Sequence, residues 1–402
     1  MIPRPRALEH LVRYRDTEHL VKVIAGVRRC GKSTLLDMFR DELLADGVAP
    51  ESLFTANFER FELASIDSAA KLHEFVTSHP FPDGKRYILL DEVQLVPGWE
   101  RVVNSLRLDP LNDLYITGSN VRLLGSELAT ILSGRYVRID TFPLSFDEYL
   151  TACPADGQTN RRQRFAEYLR TGGLPGLFGL PDDDQMRREY LDGVLSTILV
   201  KDIAQTHAIR DIDALEKIIR YLAANIGSPM SARSIANYLT SSGRRISAET
   251  VDNYLRLLED AFLFYRARRL DLKSKELMRT NEKFYLTDLG FRSILFGMGS
   301  SDVGHALENV VYFELRRRGY NVSVGRHNSL EVDFVATKPE SGTHYYQVTQ
   351  SMADPATADR ELAALRAVQD HFPRTILSLD EIATRDYEGI AHTDVIDFLL
   401  EE

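Results

Sequence analysis

Two hydrophobic rhythms alternate along the first 150 residues. Short, mostly apolar runs at 20–25, 53–58, 87–90 and 114–116 read as buried strands bounded by polar or glycine-containing turns. Between them, residues 34–44 place Leu35, Leu36, Phe39 and Leu43 on one helical face, and residues 69–77 form a second helix candidate. Strand and helix in alternation predict a parallel sheet with helices on both faces. A short helix at 8–14 precedes this region. Residues 142–150 close it, with Ser145 as a helix N-cap and Glu148 three positions later.

Beyond residue 150 the pattern changes. Residues 152–160 read as a linker and 161–170 as a helix. Gly172-Gly173-Leu174-Pro175-Gly176 requires a tight turn, because glycine supplies positive φ and Pro175 bars helix continuation. A helix over 189–202 carries an apolar stripe at 191, 194, 195, 198 and 199. Helices at 214–224, 231–239 and 247–258 follow, the last two opened by Ser231 and Ser247. Residues 262–269 and 283–286 then read as two strands. From Ala306 the order is helix, strand, strand, strand, helix. The expected domains are 1–150, 151–205, 206–300 and 301–402.

Composition narrows the class. The chain has 402 residues, 44% hydrophobic and 27% charged, which describes a soluble globular protein of several domains. No apolar run approaches a membrane span, so no membrane partner is expected, and the basic N-terminus lacks the apolar core of a signal peptide. The 2 cysteines, Cys30 and Cys153, provide neither a disulfide framework nor a zinc site and fit a cytoplasmic setting. A formal net charge of −10 argues against a surface coated throughout for nucleic acid. Residues 206–300 nevertheless carry 15 Lys and Arg against 11 Asp and Glu, a local surplus of positive charge.

The chemistry-bearing stretch is Gly26-Val27-Arg28-Arg29-Cys30-Gly31-Lys32-Ser33, followed by Thr34, between the first strand and the first long helix. That is the spacing and context of a phosphate-binding P-loop. The glycines let successive backbone N–H groups turn inward on phosphate oxygens, and the helix start adds its positive dipole end. Lys32 is expected to reach the β- and γ-phosphates and the Ser33 hydroxyl to ligate Mg²⁺. The run at 86–90 ends in Asp91-Glu92, a Walker B strand. Asp91 is the second expected Mg²⁺ ligand and Glu92 the base that orients and deprotonates water. Gln94 either positions water and reads the nucleotide state or caps the next turn. Ser119 and Asn120, at the end of the strand at 114, are either sensors of the γ-phosphate or parts of a turn. Arg135, before the next strand, is either an arginine finger or a surface ion pair.

These residues carry a resemblance. Gly26–Ser33, Leu89-Leu90-Asp91-Glu92-Val93-Gln94, Ile116-Thr117-Gly118-Ser119, Gly134-Arg135, Pro143-Leu144-Ser145-Phe146 and Gly172-Gly173-Leu174-Pro175 together resemble the bacterial and archaeal AAA-like ATPases that carry a C-terminal domain of unknown function. The resemblance runs from about residue 5 to the C-terminus. It implies an α/β P-loop NTPase domain of AAA type, a helical lid, a winged helix and a nuclease-like α/β domain, with ATP as the nucleotide.

In the winged-helix segment, Arg244 and Arg245 precede the second capped helix. Arg266, Arg268 and Arg269 lie on the first wing strand. All five are candidate phosphate contacts with DNA, and the alternative is a module for packing or protein interaction. The last hundred residues resemble the PD-(D/E)xK nuclease fold. Glu308 and Asp333 match its helix glutamate and strand aspartate. The third motif stands as Gln347-Val348-Thr349, without glutamate or lysine, which implies a vestigial site with lost or feeble cleavage. The expectation is a Mg²⁺-dependent ATPase that acts on DNA or a protein partner. The rivals are an ATP-gated binding module with negligible turnover and an ATP-stimulated nuclease. The oligomeric state is left open.

Overall fold

A computed structural model describes residues 1–118, 132, 134–153, 160–207, 209, 211–297, 303–381 and 385–401. The chain divides into two compact units. The first is Met1–Pro143 with Asp260–Phe262, and the second is Leu144–Glu259 with Leu263–Glu402.

The first unit holds five parallel strands: β1 (Val21–Ala25), β2 (Leu53–Asn57), β3 (Arg86–Asp91), β4 (Asn112–Gly118) and β5 (Tyr136–Asp140). Their order in the sheet is β2-β3-β4-β1-β5. Alternate residues of each strand feed two different cores, as a sheet covered on both faces requires. Ile88, Leu90, Leu114 and Ile116 join Leu72, Val76, Trp99 and Val103 of the helices Ala69–Thr77 and Trp99–Leu106. Tyr87, Leu89, Tyr115 and Ile139 join Leu35, Leu36, Phe39 and Leu43 of the helix Lys32–Ala45, together with Leu11 of the helix Pro5–Arg13. Lys22 is a charge within this apolar strand set. Its ammonium is paired with Asp113 and donates to the Thr17 carbonyl at 3.1 Å. Because every strand runs the same way, the C-terminal ends of β1, β3 and β4 share one edge, the edge where open parallel sheets present their ligand crevice.

The second unit opens with the predicted cap: Ser145 Oγ accepts from Glu148 N at 3.1 Å, and Glu148 Oε2 accepts from Ser145 N at 2.9 Å. The helix Arg161–Thr171 leads to the Gly-Gly turn, where Gly172 has φ +79. The helix expected over 189–202 is instead an α-helix, Asp184–Thr197, that widens into a π-helix, Ile198–Gln205. Helices Ile212–Ala224, Ala232–Ser241 and Ala248–Asp260 follow, with Ser231 and Ser247 accepting from the third backbone N–H after each.

The two strands read as a wing are longer than expected: β6 (Phe264–Asp271) and β7 (Leu277–Leu286). They do not form a separate ribbon. β6 pairs in parallel with β8 (Asn321–His327) through residues 269–271 and 324–326. The same sheet continues through β9 (Leu330–Lys338), β10 (Gly342–Val348), β11 (Arg374–Ser378), β12 (Arg385–Asp386) and β13 (Ala391–Asp394), in the order β12-β13-β11-β10-β9-β8-β6-β7. An unpaired edge on β6 would leave a row of backbone donors and acceptors open, and β8 closes it. The helices Val303–Arg317 and Pro355–Arg366 pack on this sheet. The segments expected as lid, winged helix and nuclease-like domain lie in this second unit, apart from Asp260–Phe262.

Candidate nucleotide site and a second carboxylate cluster

β1 ends at Ala25 and the chain turns at once. Gly26 has no room for a side chain, since a Cβ there would lie 2.0 Å from the Thr141 carbonyl oxygen. Gly31 has φ +101 and starts the helix Lys32–Ala45. Glycine is therefore required at both positions, for close approach at one and for conformation at the other. The Lys32 ammonium donates to the carbonyls of Gly26 and Val27 at 3.0 and 3.1 Å, curled back over its own loop. Ser33 and Thr34 are half-buried at the first helical turn. Arg29 is exposed with φ +66, and Arg28 lies 3.8 Å from Glu59.

The loop is braced from behind. Arg4 donates to the carbonyls of Cys30 and Phe142, both at 2.9 Å. Thr141 N donates to Ala25 O at 2.7 Å. The Cys30 thiol donates to Thr141 O at 3.2 Å, and burial pushes its pKa up, so it is a neutral, enclosed thiol.

Asp91 and Glu92 stand at the end of β3, on the same edge as the loop. Asp91 accepts from Asn57 Nδ2 at 2.6 Å and from the Thr117 hydroxyl. That hydroxyl oxygen in turn accepts from Glu92 N at 3.1 Å. Glu92 sits at φ +53, and its Oε2 accepts from Gln94 Nε2 at 2.5 Å. Burial raises the Glu92 carboxyl, opposed by the Lys32 charge and the Gln94 hydrogen bond. Gln94 thus holds Glu92 directly.

Asn57, Thr117 and Arg4 were not singled out from the sequence. The first two are polar residues at or near the ends of apolar strands, a legible signal in a parallel sheet. Arg4 carries no local signal. Ser119 and Asn120 lie outside the described residues. Arg135 requires a correction. Its carbonyl accepts from Val21 N at the start of β1, and Tyr136 pairs with Val21. It stands at the edge opposite the loop, roughly 16 Å away at about 3.3 Å per residue. It cannot act on phosphates held by its own loop.

In the second unit, Arg244 is bonded to Asp211 and Asp213. Arg266 lies 2.7 and 2.9 Å from Glu259 and Glu282 and covers the Phe284 ring. Both are paired with carboxylates of their own chain, which compete with any phosphate for their guanidinium groups. Arg245 and Arg268 are exposed, and Arg269 is half-buried. The helix Ala248–Asp260, expected to enter a DNA groove, carries Glu249, Asp252, Glu259 and Asp260 against Arg256 alone.

The fold does bring Glu308, Asp333 and Gln347 together. Asp333 N donates to Gln347 Oε1 at 3.2 Å, and Gln347 Nε2 donates to Glu361 at 2.7 Å. It also supplies a lysine, from β7 rather than from the third motif. Lys283 Nζ lies 2.8 Å from Glu308, 2.9 Å from Glu331 and 3.5 Å from Asp333. The expectation that no lysine serves this site is thereby corrected. Burial alone would lower Lys283, but the three carboxylates hold it above its ordinary value. Burial, reinforced by Glu308, pushes Asp333 up to about 8. Among the described residues, no three His, Cys, Asp or Glu side chains are grouped to hold a metal ion.

The parallel sheet, the glycine-lined loop and the Asp-Glu strand end define a P-loop ATPase domain of the AAA type. Residues 18–150 match the family model described as an AAA domain, and residues 162–302 match that of a domain of unknown function. An uncharacterized protein of Haemophilus influenzae is 37% identical over 403 residues, spanning 100% of this chain and 99% of the relative. An uncharacterized protein of Methanocaldococcus jannaschii, MJ1544, is 30% identical over 332 residues, 78% of this chain and 71% of the relative. The chain belongs to the same family as these two proteins. Among solved structures, the Walker-type ATPase PABY2304 of Pyrococcus abyssi aligns with a TM-score of 0.52 at 15% identity, covering 73% of this chain and 96% of that one, a likeness of fold. No helix among the described residues is long and apolar enough to cross a membrane.

Proposed function

We propose that the protein is a Mg²⁺-dependent ATPase whose nucleotide state is passed to the second unit, which engages a protein partner. The observation that carries the ATPase reading is the Gly26–Ser33 loop facing Asp91 and Glu92 along one sheet edge. In this reading the backbone N–H groups of Val27 to Thr34 receive the phosphates, and Lys32 exchanges its two carbonyl partners for β- and γ-phosphate oxygens. The Ser33 hydroxyl and Asp91 hold Mg²⁺, with Asn57 and Thr117 fixing the Asp91 carboxylate. Bound there, the ion would neutralise charge on the phosphoryl oxygens. Glu92 takes the proton of the attacking water. Thr141 touches the back of the loop, Arg4 ties Phe142 to it, and the chain runs on through Pro143 into Leu144, the first residue of the second unit, so a shift of the loop has a covalent route onward.

A protein partner is favoured over DNA because the Ala248–Asp260 helix is acidic and two of the five candidate arginines are tied to carboxylates. Arg135 remains available to a neighbouring copy's site.

Phosphate release from Mg-ATP, followed with and without duplex DNA, tests the reading. The expected result is turnover indifferent to DNA, abolished with nucleotide binding in Lys32→Ala, and lost with binding retained in Glu92→Gln. Undiminished hydrolysis by Glu92→Gln removes the assigned base, and strong stimulation by duplex DNA overturns the choice of partner.

A further inference from the structure

The Lys283 cluster is the most heavily charged buried site in the second unit that the ATPase reading leaves unused. Glu331 and Asp333 are two residues apart on β9 and therefore share a face. Glu308 comes to them from the helix Val303–Arg317. Lys283 enters from β7, the terminal strand of the sheet, with its side chain 3% exposed. The ammonium has three donors, and carboxylates of Glu308, Glu331 and Asp333 lie 2.8, 2.9 and 3.5 Å away, with Glu308 accepting a hydrogen bond.

The surroundings fit a permanently seated cation. Tyr285, two residues on from Lys283, donates its hydroxyl to Glu308 Oε1 at 2.5 Å. Val348 N donates to Asp333 Oδ2 at 2.9 Å. The Gln347 amide adds no charge and is held at both ends, by Asp333 N and by Glu361. Gly227 lies against the Glu308 carboxylate, where a Cβ would come within 3.0 Å of Oε2. Carboxylate oxygens ligate Mg²⁺ at about 2.0–2.1 Å and Ca²⁺ at about 2.3–2.6 Å. Here they stand back at hydrogen-bonding distance from a nitrogen.

We propose that the Lys283 ammonium occupies the place of a divalent cation among Glu308, Glu331 and Asp333, so that this site carries its cation within the chain and takes no metal. Without the ammonium, the buried Glu308 and Asp333 and the half-buried Glu331 would lose their counter-charge in the cluster, which favours entry of a hard divalent ion. The inference does not depend on ATP turnover.

The test uses the full chain without nucleotide, in an Asp91→Asn background that removes the first unit's metal ligand. Thermal unfolding is followed in EDTA and in millimolar Mn²⁺. The expected result is a midpoint that Mn²⁺ leaves unchanged when Lys283 is present. Lys283→Met should unfold earlier in EDTA and recover by roughly 5–10 °C in Mn²⁺. Adding Asp333→Asn should abolish that recovery. A Lys283→Met protein indifferent to Mn²⁺ overturns the proposal. Should that variant not fold, Mn²⁺ binding by electron paramagnetic resonance on the Lys283-containing protein decides. Binding that disappears in Asp333→Asn overturns the proposal, and equal titrations with and without Asp333 support it.

Discussion

Glu92 holds a backbone conformation that ordinarily favours glycine, with φ +53, beside the loop that defines the first unit. Such a residue persists only where its neighbours over-determine it, and here Thr117 and Gln94 do so. The consequence is chemical. A base works only when deprotonated, and burial raises the Glu92 carboxyl, so turnover should fall away on the acid side at a pH above the ordinary carboxylate range. The Gln94 hydrogen bond favours the ionised form. Gln94→Ala should therefore move the acid limb of the phosphate-release profile upward in pH. An unmoved limb would show that Gln94 does not tune the base. Residues 26–33, Asp91 and Glu92 were legible because their chemistry is written in contiguous sequence. Asn57 and Thr117 showed only as polar residues at the ends of apolar strands, with no sign of their partner, and Lys283 not at all, since each acts on a carboxylate at least 25 residues away. The sequence left open how Arg135 acts, because spacing along a strand says nothing about which sheet edge its start occupies.

The Gly172-Gly173 turn shows what an element owes to a distant partner. Asp288 caps its own helix at Gly290 N, 2.8 Å away, and also accepts from Gly173 N at 2.7 Å. Its carboxyl is fully enclosed, and burial pushes it up to about 6, with the backbone donors pulling the other way. A Cβ at Gly172 would lie 1.8 Å from Asp288 Oδ1, at a φ that L-residues rarely adopt. Gly172→Ala should thus destabilise the second unit by about 2–4 kcal/mol, read as a drop in its unfolding midpoint, with nucleotide binding by the first unit retained. An unchanged midpoint would mean the turn can re-form without the Asp288 contact. The turn itself was readable from two glycines and a proline. Its partner was not, because it lies 115 positions further along the chain. The hairpin β6–β7 was readable as two strands for the same local reason. The edge it joins was not, because period-2 patterning identifies a strand's faces and leaves its neighbour unspecified.

At the scale of the whole molecule, net charge −10 and a positive surplus in 206–300 left DNA and protein partners nearly balanced in the sequence. Side-chain pairing shifts that balance. Only Arg245, Arg268 and Arg269 of the five candidates lack a carboxylate assigned above. Any DNA binding should accordingly lose affinity with salt at a slope no steeper than about −3 on logarithmic axes, from roughly 0.9 per neutralised phosphate. A slope near −10 would reveal a far wider basic track. The parallel pairing of β6 with β8 has a further consequence, during synthesis. Lys283 leaves the ribosome 25 residues before Glu308 and 50 before Asp333, and the edge that receives β6 is made in between. At about 5–20 residues per second the hairpin waits roughly 3–10 s with its cation still hydrated and one strand edge open. A nascent chain halted in that interval presents a template for pairing with another chain, so the speed of translation across 287–333 becomes part of how safely this protein is made.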